Sequence, residues 1–189
     1  MVNSRKKIID GLLPAKAYGC YFRLVEIEDA EFILSLRNNE KLSKHINPTS
    51  TDIEEQIKWI KEYKIREEKG EDFYVICMKD DKKTKLGLNR IYNVTKDTFE
   101  FGSWLYSPDA GSNVAVLGEL FTKALAFEHL DCKICKMSTM KENKRVLWYC
   151  KSYNPKFTDE DELSFYFESD YENFKAHRSK YLKLFQMEE

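Results

Sequence analysis

Residues 109–115, Asp-Ala-Gly-Ser-Asn-Val-Ala, set a run of small side chains directly before an apolar helical stretch that continues to Leu130. Such a start can bind an anion. The first N–H groups of a helix lack intrahelical partners, and the helix dipole adds roughly half a positive charge at that end. Gly111 and Ser112 leave room for close backbone approach, and Asn113 tolerates left-handed geometry. A phosphate or pyrophosphate suits this cradle. An ordinary capped helix is the competing reading of the same residues. No Walker lysine and no GxGxxG occur, which excludes a P-loop ATPase and a Rossmann nucleotide site. "HLDCKIC" brings His129, Cys132 and Cys135 close in sequence, but no second CxxC or HxxH supplies a fourth ligand. Residues three apart on a strand also point to opposite faces. No metal site is expected.

The elements that must carry these residues belong to a folded globule. The chain has 189 residues, 42% of them hydrophobic and 14% aromatic, enough for one domain with a real core. Residues 1–19 read as an N-terminal extension and 20–189 as a single domain. Lysine plus arginine (31) nearly balance aspartate plus glutamate (32), so there is no general polyanion field and no nucleic-acid partner is expected. No apolar run approaches the ~20 residues of a membrane span. Asp10 and Gly11 interrupt the apolar stretch of "MVNSRKKIIDGLL", which argues against a signal peptide. Cytoplasm is the expected compartment, and the five cysteines, at 20, 77, 132, 135 and 150, read as reduced thiols.

Periodicity orders the elements. "CYFRLVEIE" reads as a first strand. Asp29 then caps a helix whose Ala30, Ile33, Leu34 and Arg37 share one face. Thr51 and Glu54 have capping-box spacing and open a second helix with the stripe Ile53, Ile57 and Ile60, stopped near Gly70. Three strands follow: "DFYVICMKD", "KLGLNRIYNV" and "TFEFGSWLYS". Next come the small-residue helix, a strand "CKICKMSTM", a helix from Glu142-Asn143, and strands "NPKF" and "ELSFYFES". The last segment, "DYENFKAHRSKYLKLF", aligns Tyr171, Phe174, Arg178, Tyr181 and Phe185 on one face. Lys175, His177, Lys180 and Lys183 fall on the opposite faces, as a solvated surface or a border of the site. A meander followed by a β-α-β unit predicts an α/β fold with a mixed sheet and helices on both faces.

Taken together, "FGSWLYSPDAGSNVAVLGELFTKALAFEHL" and "KICKMSTMKENKRVLWYCKSY" resemble the acetyl-CoA-binding half of the GCN5-related N-acetyltransferases (GNAT). The branch they are most similar to is the RimJ/RimL-like and nucleotide-sugar acetyltransferases. The resemblance covers residues 20 to 168. It implies a GNAT-like, mostly antiparallel central sheet flanked by helices, with a C-terminal helix, and acetyl-CoA as the donor. In that family a strand, here Trp104-Leu105-Tyr106, presents backbone to the pantetheine arm. A loop of pattern Q/R-x-x-G-x-G/A holds the pyrophosphate and falls on Ala110 to Ala115, so Gly111, Ser112, Asn113, Val114 and Ala115 would contact it. Asn143 matches the residue that opens the next helix. The chain departs from the pattern at Ala110, where Gln or Arg is usual, and at Asn113, where glycine is usual. Cys150 stands seven residues after Asn143, where many members carry a tyrosine acid, with Tyr149 before it and Tyr153 one turn on. "YNP" replaces the usual Gly-Phe end of that helix.

Moving an acetyl group from a thioester to an amine sets four requirements. The amine must lose a proton, from a pKa of ~10.4 for a lysine-like amine or ~8 for an α-amino group. The reactants must be held in line. The oxyanion needs an N–H donor, and the departing thiolate must be protonated or otherwise stabilised. Glu100 is the candidate base, alternating on its strand with Gly102 and Trp104, opposite Phe99, Phe101, Ser103 and Leu105; a solvated surface charge is the alternative. Tyr149 and Cys150 compete as the acid. Cys150 can also be a nucleophile or a buried structural thiol, and direct transfer is expected. Arg37, Asn38, Asn39, His45 and Asn47, with Asn89 and Arg90, supply a polar wall suited to hydroxyls or a phosphate; capping and surface solvation are the alternative. That wall suits a sugar, and the resemblance implies a small-molecule amine acceptor of one class used in this branch, a nucleotide-activated amino sugar of surface polysaccharide synthesis. Protein N-termini, as in ribosomal-protein acetylation, are the second acceptor class, and a catalytically degenerate acyl-CoA-binding protein is a third reading. A monomer or homodimer is expected.

Overall fold

The computed structural model describes residues 4–46 and 48–187, so Asn47 lies outside the described residues. In chain order the elements are α1 (Ser4–Leu12), β1 (Ala15–Ala17), β2 (Cys20–Leu24), α2 (Ala30–Arg37), α3 (Glu40–Ser43) and α4 (Ile53–Glu68). After them come β3 (Asp72–Lys79), β4 (Lys85–Tyr92), β5 (Thr98–Tyr106), α5 (Ser112–Ala124), β6 (Ile134–Met140), α6 (Lys144–Lys151), β7 (Lys156–Glu160), β8 (Ser164–Asp170) and α7 (Tyr171–Leu184). The strands form a single sheet in the order β1-β2-β3-β4-β5-β6-β8-β7. Neighbours are antiparallel except β5 and β6, which run parallel. Among the described residues no helix is long and apolar enough to cross a membrane.

The continuous apolar run of β3 is explained by burial on both faces. Phe73, Val75 and Cys77 join the core under α1, α5 and α7, whereas Tyr74, Ile76 and Met78 join the core under α2 and α4. Each fully buried large apolar side chain contributes about 1.5–3 kcal/mol relative to exposure. Residues 4–17, read from sequence as an extension, are part of this architecture. Ile9 is fully buried in the larger core and β1 pairs with β2.

Two local expectations change. Asp52, not Thr51, caps α4 by accepting from the Glu54 N–H at 2.9 Å. The buried residues of that helix are Gln56, Ile60, Tyr63 and Glu67, while Ile53 and Ile57 are only half-buried. Gly70, with φ of 69°, follows its end as expected.

One irregularity shapes the middle of the sheet. The β4–β5 register slips by one residue, from Leu88↔Leu105 to Arg90↔Gly102, so Ser103 and Trp104 together oppose Asn89. Ser103 takes φ of 47°. A bulge of this kind exchanges the faces of every residue beyond it. Trp104 therefore packs on the α5 side with Phe101, and Leu105 enters the opposite core. The strict alternation expected for β5 holds only up to Gly102.

Candidate active site

The parallel pairing of β5 with β6 is brief, confined to Thr98↔Ile134, Phe99↔Cys135 and Glu100↔Lys136. Beyond it, among the described residues, no strand pairs with the β6-facing edge of β5, so that backbone is open to an extended ligand. The two strands wall a cleft of about 780 Å³, with Phe101 to Trp104 on one side and Met137 to Met140 on the other. Glu119, Tyr149, Cys150 and Tyr153 line its inner end; Arg37, His45, Trp59, Tyr74, Arg90 and Tyr92 line its outer part.

The small-residue helix start is open as well. Gly111 is the N-cap of α5 with φ of 82° and ψ of 145°, and no side chain caps the helix. Ser112 and Asn113 are exposed, Val114 and Ala115 half-buried. The indole N–H of Trp104 donates to the Ala115 carbonyl at 2.8 Å, tying the first turn of α5 to the bulge. Leu105 and Tyr106 point their side chains into the two cores. The Tyr106 hydroxyl accepts from Asn89 Nδ2 at 2.7 Å, and its side chain fills the space over Gly87 and Gly118, where a Cβ would lie 2.3 Å from the ring and 1.7 Å from the hydroxyl oxygen, respectively. Only the backbone of these two residues can serve a ligand. Asn143 lines the cleft, and its side chain caps α6 by accepting from the Val146 N–H at 3.2 Å.

Other expected residues separate. Glu100 does not line the cleft; its carboxylate accepts from Asn93 Nδ2 at 2.8 Å. Burial, followed by the Glu100 charge, pushes the neighbouring Tyr92 phenol up to about 12. Arg37 and His45 line the cleft, and His45 Nδ1 is buried without a hydrogen-bond partner among the described residues. Asn38 ends α2 and Asn39 caps α3 through the Lys41 N–H, both away from the cleft. Asn89 and Arg90 cannot share a wall, because consecutive strand residues face opposite ways. Arg90 faces the cleft, while Asn89 is fully buried beneath α5. The Arg90 guanidinium is already engaged by Asp72, at 2.8 and 2.5 Å, and stacks on Trp59 and Tyr92. It shapes the wall more than it offers a free charge.

Tyr149 and Cys150 both reach the cleft, and both are buried. Cys150 Sγ lies 3.8 Å from Thr139 Oγ1, and burial raises its thiol pKa. Tyr149 stacks beside Trp104, with ring centroids 5.1 Å apart, and its hydroxyl meets Glu119 and His177. Sequence reasoning missed Glu119, Lys123 and this role of His177. A visible signal was the Glu–Lys pair four residues apart inside an otherwise apolar helix. The two side chains form an ion pair of 2.5 Å, each 2% exposed. Burial alone would raise the Glu119 carboxyl, but Lys123 and then His177 outweigh it and hold it at about 2.

His177 corrects the expected solvent face of α7. Phe174, His177 and Tyr181 follow at three and four residues, one stripe of an α-helix, and all are buried. Among the described residues none from α7 lines the cleft. Lys175 pairs with Glu172 at 2.7 Å, and Lys180 donates to the Ser152 carbonyl at 3.1 Å.

Comparisons with known proteins agree with this geometry. The family profile described as Acetyltransferase (GNAT) domain matches residues 20–176. The solved structure of apo FdhC, described as a nucleotide-linked sugar GNAT, is 32% identical with a TM-score of 0.79, over 89% of this chain and 96% of that one. Mycobacterium smegmatis RimJ in complex with CoA-disulfide is 14% identical with a TM-score of 0.70, over 87% and 88% of the two chains. Vibrio cholerae spermidine N-acetyltransferase, in complex with CoA and spermine, is 13% identical with a TM-score of 0.67, over 84% and 99%. These last two likenesses show the fold alone. No curated protein sequence matches. A mixed sheet split between β5 and β6, an open helix start beside the split and a domain match over residues 20–176 converge on one conclusion: the chain is an acyltransferase that belongs to the GNAT acetyltransferase family.

Proposed function

We propose that this chain transfers an acetyl group from acetyl-CoA to the amino group of a nucleotide-activated sugar, by direct attack. The observation that carries the acceptor is the 32% identity to a nucleotide-linked sugar GNAT across nearly the whole of both chains. The residues present fit the donor. Gly111, whose φ of 82° favours glycine, opens an α5 that no side chain caps, so the N–H groups of residues 111 to 115 can take a pyrophosphate. The free edge of β5 from Gly102 to Tyr106 suits the amide-bearing arm. When bound there, acetyl-CoA supplies an acyl group activated as a thioester.

The chain's own groups divide the remaining work. Backbone N–H groups at the bulge, near Trp104, stabilise oxyanion charge. For the amine proton the cleft offers His45, an imidazole in the wall whose Nδ1 has no hydrogen-bond partner among the described residues. Glu119 is unsuited to that task, since a carboxylate whose pKa is held at about 2 is too weak a base. Glu100 lies outside the cleft, so we assign deprotonation to His45 in its place. Arg37 supplies positive charge for acceptor phosphates, and Trp59 offers an aromatic face.

Calorimetric titration with acetyl-CoA, followed by a thiol-release assay over a panel of amines, tests this reading. Nucleotide-linked amino sugars should turn over faster than free amino sugars, peptide N-termini or polyamines. Faster transfer to peptides would replace the acceptor assignment, and binding without any turnover would leave an acyl-CoA-binding protein.

A further inference from the structure

Beside Trp104 the cleft ends on a phenol that the fold holds from two sides. Tyr149 Oη donates to Glu119 Oε2 and lies 2.8 Å from His177 Nε2. With its own hydrogen given to the carboxylate, the phenol oxygen can only accept from His177, so the imidazole carries its hydrogen on Nε2. Nδ1 agrees. It is buried without a partner among the described residues, and a hydrogen there would be an orphaned donor. Glu119 is fixed in turn by Lys123, whose ammonium also touches Met137 Sδ at 3.2 Å and lies over the Phe101 ring. Helices far apart in sequence, α5, α6 and α7, thus supply one connected set of contacts. Apolar side chains of similar volume would avoid the desolvation of two ions, so stability alone does not account for these charges.

We propose that Glu119, Lys123 and His177 are positioning residues for Tyr149, fixing its ring at the inner end of the cleft and keeping its hydroxyl a neutral hydrogen-bond donor during acyl transfer. The proposal rests on the acyltransfer reading of the cleft. Ionising Tyr149 would set a phenolate against a buried carboxylate, two like charges in a site remote from water. Burial, and next the Glu119 charge, accordingly push the phenol well above its ordinary value of 10.0. The titratable groups facing Tyr149 are Glu119 and Lys123 from α5, His177 and Tyr181 from α7, and its own neighbours Tyr153 and Cys150.

A hydroxyl held in this way stabilises a departing sulfur by a hydrogen bond and keeps its proton. Were acetyl-CoA bound there, this O–H would hold the sulfur as it left with the carbon–sulfur electron pair, and the proton that the thiolate then takes would come from solvent, not from Tyr149. Turning the O–H from Glu119 towards the cleft vacates one carboxylate oxygen. His177 Nε2, 3.7 Å from Glu119 Oε2, is placed to donate to it.

The test follows tyrosinate absorbance against pH in the full-length wild type, in Glu119→Gln/Lys123→Met, and in that pair combined with Tyr149→Phe. The pair should bring one phenol's ionisation down by about 1–2 pH units, and adding Tyr149→Phe should abolish that change. The pair should also lower kcat roughly 10–100-fold with KM for acetyl-CoA within about twofold, as expected for lost positioning. His177→Gln, which keeps an N–H donor, should retain more activity than His177→Phe. Tyr149→Phe alone leaves the Glu119–Lys123 pair intact and provides the check if the pair variant does not fold. Wild-type kcat in Tyr149→Phe, a loss confined to KM, or no Tyr149-dependent change in titration in an active enzyme overturns the proposal. A wild-type chain that acylates no amine, with the titration change present, overturns the acyltransfer reading itself.

Discussion

Lys123→Met removes the ammonium that sits 2.5 Å from Glu119 Oε1 and leaves a carboxylate that is 2% exposed, with Tyr149 and His177 as its polar partners among the described residues. The wild-type carboxyl lies at about 2 against an ordinary 4.5, with burial opposing the shift and Lys123 the larger of the two cations that overcome it. That difference, 4.5 minus about 2, corresponds to about 3 kcal/mol at roughly 1.4 kcal/mol per pH unit. Because the folded value is depressed, the stabilisation is complete well above 4.5 and disappears as pH falls towards about 2. In the variant the sign reverses. Burial dominates, the carboxyl rises, and the folded state takes up a proton that the unfolded chain releases. We expect a loss of about 3–5 kcal/mol at neutral pH, lowering Tm by about 10 °C for a chain of this length. The deficit should shrink by about half near pH 4. Urea denaturation of both proteins at the two pH values measures it. Glu119→Gln/Lys123→Met, which removes both charges, should recover much of the loss. A neutral-pH loss below about 1 kcal/mol, or an equal loss at both pH values, would refute the buried-pair argument.

Further expectations can be checked with the same protein. Gly111→Leu combined with Asn113→Asp should weaken acetyl-CoA binding at least about tenfold, through backbone strain at φ of 82° and charge repulsion at the helix start; unchanged calorimetric affinity in a folded double variant would remove the pyrophosphate from this loop. His45→Ala should lower kcat/KM by roughly 100-fold, whereas Glu100→Gln should stay within about threefold. The opposite ranking of kcat/KM losses would return the base to Glu100. Neutralising Lys180 and Lys183 to Gln should leave the Michaelis constant for a phosphorylated acceptor unchanged, since no described residue of α7 lines the cleft. A selective rise for that acceptor, reversed by salt, would bring the helix back to the site.

Period-two and period-3.6 patterning placed β2 to β6, β8 and the long helices, while β7 (Lys156–Glu160) was read early, at residues 154–157. Those signals are local, and each segment can satisfy them by burying one face. Asn143 as the cap of α6 and Gly111 before α5 were legible for the same reason, because capping joins residues only a few positions apart. The chemistry class came from the resemblance of residues 101–130 and 133–153 to a known family, since the small-residue helix start by itself reads equally as an ordinary capped helix. What the sequence by itself left undetermined depends on contacts between distant segments. A one-residue bulge at Ser103–Trp104 costs no change in composition, yet it reverses the faces of Trp104 and Leu105 beside the split from β6. The docking of α1 and β1 is of the same kind, since a short amphipathic stretch gains its stability only from the sheet it covers. His177 looked like one more polar residue beside lysines until the packing of α7 turned its stripe inward. Residues 119, 123, 149 and 177 became one network only on folding, because a charge removed from water must find its partner wherever the tertiary structure provides one.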